Sequence, residues 1–242
     1  MKYSEINLTV VLKEDVHFSQ SGTKVGKILH NLMLNDASLM ILHSEKNVKN
    51  YVFSNFYPTE KGGIYKVGKP YVFKIRSFDL SVAKAFKKVI DEKPDNYLFN
   101  VLASEIKTVN RFHIAAFTSV TPVIVTYKKG NFDRCWTIED DLFALHGQLQ
   151  KNLMKKYELV TSEKIEMNES FIQLFTILNK KPLKVVYEHK DKGGRVFLGN
   201  KFKIVPNDDD NSQKLAFTAL ACGLGEKNSL LGAGFCLGEM KL

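Results

Sequence analysis

The feature that most constrains the fold of this chain is an order of elements that occurs twice. Ile6–Leu12 is rich in β-branched residues and partly alternating, which reads as a strand. Val25, Ile28, Leu29, Leu32 and Met33 then recur at helical spacing. After Asn35, Asp36 is placed to cap a short second helix that ends at His43. Tyr51–Phe56 and Tyr71–Ser77 return to strand period. Leu80, Ala83, Phe86, Val89 and Ile90 form another helical stripe, capped by Asp79 or Ser81. Tyr97–Leu102 and Ile106–Phe117 are strand-like. The first half therefore reads β-α-β-β-α-β.

The second half repeats it: a strand at Pro122–Tyr127, a helix over Asp140–Tyr157 and strands at Phe171–Leu178, Leu183–Tyr187 and Arg195–Val205. Asn211 and Ser212 open a helix through Ala221, and Phe235–Leu237 closes as a strand. The pattern predicts an α+β protein of tandem ferredoxin-like (RRM-like) domains, each an antiparallel sheet with two helices on one face. The boundary is expected between Thr118 and Pro122, giving domains 1–118 and 119–242.

Lys+Arg 35 against Asp+Glu 26 leaves a formal charge of +9, which favours an anionic partner. A basic protein without such a partner remains the alternative on charge alone. The three cysteines are widely spaced and form neither a disulfide framework nor a zinc motif. No signal-peptide pattern opens the chain and no apolar run approaches a membrane span, so a cytoplasmic protein is expected.

Two segments could carry chemistry. The first is the glycine-dense run GLGEKNSLLGAGFC from Gly223 to Cys236. Gly223, Gly225, Gly232 and Gly234, with Lys227, Asn228 and Ser229 between them, can present backbone N–H groups to a phosphate. The run follows a helix and precedes a strand, so it is neither a dinucleotide fingerprint nor a P-loop. A connection that simply needs glycines is the competing reading. The second segment starts at His43, with Lys46 and Lys49 close behind. A histidine can exchange protons near neutral pH, and the lysines can stabilise a negative phosphorane. A histidine closing a helix against its dipole is the ordinary alternative. His30 lies beside the apolar stripe of the preceding helix; it reads as a partly buried structural histidine, with approach to His43 as the alternative. Lys190, Lys192 and Arg195 belong to a basic stretch that either tracks a phosphate backbone or forms a solvated loop. No spacing suggests a metal site or cofactor.

Together, the doubled order, the helix ending in Leu42-His43, the strand from Tyr51, the Phe117–Pro122 junction and the glycine-rich run resemble the CRISPR-associated repeat-RNA endoribonuclease family, the Cas-six proteins. One departure is Leu230-Leu231, where the family's loop often has a single leucine. The resemblance implies an enzyme that cuts a CRISPR precursor transcript within the repeat without metal. The 2′-hydroxyl attacks the adjacent phosphate, leaving a 2′,3′-cyclic phosphate and a 5′-hydroxyl. It places the proton-transferring histidine at His43, with Lys46, Lys49 and His30 as candidate helpers. It also implies that Gly223, Gly225, Lys227, Asn228, Ser229, Gly232 and Gly234 contact RNA. Lys190, Lys192 and Arg195 would hold the stem or flanking strand. The implied partners are repeat RNA and mature crRNA, with effector-complex subunits and a second copy of the chain as further candidates. A catalytically inactive repeat-RNA scaffold is the alternative function.

Overall fold

The structure is a computed structural model that describes residues 1–45, 48–129, 132–189 and 193–240. In chain order the elements are β1 (Lys2–Leu12), β2 (Val16–His17), α1 (Phe18–Met33), α2 (Ala37–Ser44), β3 (Tyr51–Phe53), β4 (Ile64–Tyr65), β5 (Pro70–Ser77), α3 (Leu80–Glu92) and β6 (Phe99–Asn110). The chain continues through β7 (Ile114–Ser119), β8 (Thr126–Lys129), β9 (Phe132–Cys135), α4 (Leu142–Thr161), β10 (Ile172–Ile177), β11 (Leu183–His189), β12 (Gly193–Gly199) and β13 (Phe202–Pro206). It closes with α5 (Asp210–Cys222), α6 (Asn228–Leu231) and β14 (Cys236–Met240).

Two four-stranded antiparallel sheets have the same internal order, β3-β5-β1-β6 and β10-β13-β7-β14. Numbering the strands within each sheet, both read 2-3-1-4, the ferredoxin-like arrangement in each half of the chain. The change of sheet lies at Arg111–His113. β7 pairs with β13 and β14, so the expected boundary after residue 118 falls at the end of the second sheet's first strand.

Other departures have local causes. The expected strand at Pro122–Tyr127 is split: Val123 and Ile124 make isolated bridges, and Thr126 and Tyr127 open β8, which pairs with β9, while β7 occupies the centre of the sheet. Tyr97–Leu102 and Ile106–Phe117 are not two strands divided at residue 103. β6 runs unbroken through Ala103–Glu105, opposite β1, and the break comes only after Asn110. Arg195–Val205 divides around Asn200, which bridges Val123, so β11 and β12 form a separate hairpin. α5 is capped two residues before the expected Asn211, by Asp209, whose carboxylate accepts from the Ser212 amide at 2.9 Å. The short α6 inside the glycine-rich run had no periodic signal.

Each half has its own core. Val25, Ile28, Leu29, Leu32 and Met33 of α1 and Ala83, Phe86, Val89 and Ile90 of α3 bury against β1, β3 and β5. Leu145, Leu149 and Leu153 of α4 and Leu215–Cys222 of α5 bury against the second sheet. Arg76 of β5 joins the halves. Its Nε donates to Glu5 at 2.7 Å, and Nη1 donates to the Leu220 and Cys236 carbonyls at 3.1 and 2.6 Å. Its guanidinium also lies over the Phe235 ring. Both charges are buried, so the ion pair and the two carbonyls together satisfy a group that would be costly alone. Among the described residues, no helix is long and apolar enough to cross a membrane.

Candidate active site

α1 is built to let another backbone approach. Gly22, Gly26 and His30 follow at four-residue spacing, on one face of the helix. A Cβ at Gly22 would stand 2.1 Å from the Leu231 carbonyl, and one at Gly26 would stand 2.2 Å from that of Leu230. The α6 turn of the second half therefore seats directly on α1, at the paired leucines. The β11–β12 hairpin also crosses to α1, where the Thr23 hydroxyl donates to the Val186 carbonyl.

This seating leaves a cleft of about 420 Å³ between the halves. His30, His43, Val48 and Lys49 line one wall, Gly225–Leu230 the other, and Asn152 of α4 joins them. His43 stands in the last turn of α2, whose start is fixed by Asp36 accepting from the Ser38 and Leu39 amides at 3.0 and 3.2 Å. A basic side chain there meets the negative end of the helix dipole favourably, as the capping alternative held. That role leaves its exposed ring available to the cleft. The His30 and His43 rings are 5.1 Å apart between centroids and inclined at 53°. Burial, then the neighbouring His43 and Lys49, push the His30 imidazole down to about 4, so it is neutral at pH 7.

Lys49 shares the wall with a second task. Its Nζ donates to the carbonyls of Leu42, His43 (3.1 Å) and Glu45 (2.6 Å), closing the C-terminus of α2. An ammonium has three donors, and these carbonyls engage all of them. Desolvation holds Lys49 below the usual lysine range. Lys46, Lys190 and Lys192 lie outside the described residues.

The glycine-rich run divides by burial. Gly223, Gly225, Gly232 and Gly234 are buried, and Asn228 is only 5% exposed. Asn228 Nδ2 donates to the Leu224 and Ala233 carbonyls at 3.1 and 2.7 Å, and Oδ1 accepts from Lys156 at 2.7 Å. These five shape the loop, while Lys227 and Ser229, both half-buried, are its accessible members of the expected set. Lys227 and Arg195 meet over one ring, with Nζ 5.8 Å and the guanidinium 4.8 Å from the Phe197 centroid. Arg195 is exposed and shares the Phe197 ring with Lys227, but it does not line the cleft itself.

Sequence reasoning missed Asn152 and Glu226, and took Lys156, with Lys151 and Lys155, as a basic stripe on the helix surface. Glu226 borders the cleft but its carboxylate is held by the Thr126 amide and hydroxyl. Asn152 shares a helix face with Lys155 and Gln148, a spacing that was readable. Lys156 reads from its charge as a surface lysine, although its spacing from Leu149 and Leu153 puts it on the buried face of α4. Among the described residues, no group of three or more His, Cys, Asp or Glu side chains is arranged to hold a metal.

Fold and cleft define a double ferredoxin-like protein with a histidine pair facing a glycine-shaped loop. Residues 104–237 match the family profile described as CRISPR associated protein Cas6, C-terminal. That is more than half of the chain, and the protein belongs to the Cas6 family. No curated protein matches it in sequence. Among solved structures, one described as "CRISPR associated protein Cas6" superposes with a TM-score of 0.71 at 20% identity, covering 98% of this chain and 99% of its own. A Cas6-related protein from Pyrococcus furiosus gives 0.70 at 17% identity, covering 99% and 100%. One described as an RAMP protein binding different RNA substrates gives 0.68 at 18%, covering 98% and 99%. These likenesses concern the fold.

Proposed function

We propose that this chain is an endoribonuclease that cuts CRISPR precursor RNA within the repeat. The observation that carries the reading is the His30–His43 pair, set 5.1 Å apart against the loop wall of the interdomain cleft. RNA supplies its own nucleophile in the 2′-hydroxyl. The protein's task is to align that oxygen with the phosphate, move protons and stabilise charge. His43, exposed at the end of a capped helix, transfers the proton at the 2′-hydroxyl or at the leaving 5′-oxygen. His30, neutral at working pH, holds or receives a hydrogen bond without adding charge. Lys49 fixes the helix end that carries His43, and its charge faces the same phosphate. Lys227 and Ser229 grip the backbone on the opposite rim, with Arg195 beside Lys227. The products are a 2′,3′-cyclic phosphate and a 5′-hydroxyl, and the mature guide RNA leaves or stays with the protein.

A second reading, RNA binding without cleavage, draws support from Lys49. Its three donors are already engaged, leaving fewer for a phosphorane. Incubation in EDTA with the repeat RNA of the source genome, and with the same RNA carrying single 2′-deoxy substitutions, separates the two. Cleavage at one position, lost with one 2′-deoxy and with His43→Ala, is the expected result. Tight binding with no cleavage selects the scaffold, and equal binding of unrelated RNA removes the repeat-specific reading altogether.

A further inference from the structure

A lysine ammonium is buried directly behind the cleft wall. Lys156 of α4 is 1% exposed, and its Nζ donates to the Gly223 carbonyl at 2.7 Å, the Gly225 carbonyl at 2.8 Å and Asn228 Oδ1 at 2.7 Å. Gly225 and Asn228 are themselves cleft-lining residues, so the charge lies one residue layer beneath the surface that faces the histidines.

Such a charge normally has a carboxylate beside it, because an isolated buried cation is expensive. Among the described residues Lys156 makes no ion pair. The charged or titratable groups whose fields reach it are Cys222 of α5, Cys236 of β14 and Glu226 of the loop. Burial drives both thiols up to about 12, so they are neutral. Glu226 turns its carboxylate to Thr126 and lies 3.9 Å from Lys227. The hydrogen bonds to Lys156 are complete, but no carboxylate touches it, and only the more distant Glu226 offsets its charge.

We infer that the counter-charge is supplied by the ligand: Lys156 is a positioning residue that sets the shape of the glycine-rich loop and places a fixed positive charge under it, matched by an RNA phosphate seated on the outer face of Gly225–Ser229. This rests on the cleft being an RNA site. The lysine does not touch RNA. It acts through the loop it braces, and its field is strong because low-dielectric protein, not water, separates it from the cleft. A pre-placed cation also costs no side-chain ordering when RNA arrives, unlike a surface lysine.

Burial lowers Lys156 to about 8, so near that pH a fraction of the unbound protein carries it neutral. An anion on the loop favours the ammonium, and RNA binding at pH 8 then takes up protons.

The test is calorimetry at pH 8 in buffers of different ionisation enthalpy, using repeat RNA made uncleavable by 2′-deoxy substitution at the mapped site. Wild type is compared with Lys156→Met, which keeps volume, and Lys156→Gln, which keeps donors without charge. Wild type is expected to take up a fraction of a proton that both variants lack, and both variants to bind roughly tenfold more weakly. Wild-type binding without proton uptake overturns the inference, and so does Lys156→Gln binding like wild type. The first outcome needs no variant to fold. Cleavage plays no part in this readout. An RNA-binding protein without nuclease activity leaves the inference standing, whereas a nuclease with an indifferent Lys156 overturns it alone.

Discussion

His30 and His43 come from different helices, yet their rings stand 5.1 Å apart because the α1–α2 turn folds the second helix back beside the first. Asn35 holds that turn, its Nδ2 donating to the Asn31 carbonyl at 2.9 Å. The two rings differ in environment. One is half-buried and held neutral, the other is exposed at a helix end. The neighbouring His43 adds to the burial that disfavours the His30 cation, so the two rings are not equivalent. A site that must both accept and donate protons gains from that inequality.

His43→Ala is expected to lower single-turnover cleavage by roughly 10²- to 10⁴-fold, the usual weight of a proton-transferring group. Repeat binding should change little, because the imidazole contributes neither bulk nor fixed charge to the grip. The ring is exposed, so the thermal midpoint should stay where it is. Cleavage at the wild-type rate would remove His43 from the chemistry.

The neutral His30 makes stability pH-dependent. Its folded-state value, about 4, lies below the ordinary 6.5, so the unfolded chain binds its proton more tightly. The contribution is fully present above about pH 6.5 and fades as pH falls towards 4. It is bounded by about 3 kcal/mol, less what solvent screens at a half-buried ring. Urea midpoints measured from pH 4 to pH 7 should rise with pH in wild type and rise less in His30→Gln. Parallel curves would place the titration elsewhere.

The helical stripes of α1 and α3, the Asp36 cap and the doubled element order were legible because they are local, periodic signals. His43 at the end of α2 followed from the same reading. Lys49 was legible as a nearby charge, but its attachment to the Leu42, His43 and Glu45 carbonyls was not, since spacing alone does not say that its side chain turns back to the helix end. The glycines were legible as a special loop. Their role was not, because Gly223, Gly225 and Gly232 are packed by Val52, Ile124 and Phe53 from remote segments, and Gly234 by the loop's own Leu224. Asn228 was legible as a loop residue and Lys156 as a position on the Leu145, Leu149 and Leu153 face of α4. Their bond to each other was not, because it joins α4 to a loop remote in the chain.

Lys49→Met removes the brace on the C-terminus of α2. Losing its bonds to the Leu42, His43 and Glu45 carbonyls at a partly exposed helix end should cost about 1 kcal/mol of stability. The larger effect should fall on chemistry. A shift of His43 of about 1 Å is enough for roughly a hundredfold loss of rate. Cleavage should therefore drop far more than repeat affinity. Equal loss of both would make Lys49 a binding residue and leave the placement of His43 to the α1–α2 turn.

Gly234 is where the loop tolerates change least. It adopts φ +67°, and a Cβ there would stand 1.9 Å from the Leu224 carbonyl. The obstacle is backbone, and it is fixed on both sides. Gly234 accepts from the Leu224 amide at 2.8 Å and donates to the Pro122 carbonyl at 2.9 Å. An alanine must therefore either break the Leu224 pairing or push the run off the domain junction. Positive φ alone costs about 1 kcal/mol for a side chain, and the clash brings the total to roughly 3 kcal/mol. For a chain of this length that corresponds to a fall in Tm of about 10 °C. Gly62→Ala is the control. A Cβ at that position meets nothing within 4 Å, so Tm should stay within about a degree. RNA binding should weaken in Gly234→Ala even at temperatures where the protein remains folded, because Leu224 and Asn228 hold the wall that carries Lys227 and Ser229. If Gly234→Ala melts lower but binds repeat RNA with unchanged affinity in the cold, the loop's shape is needed by the fold and not by the RNA.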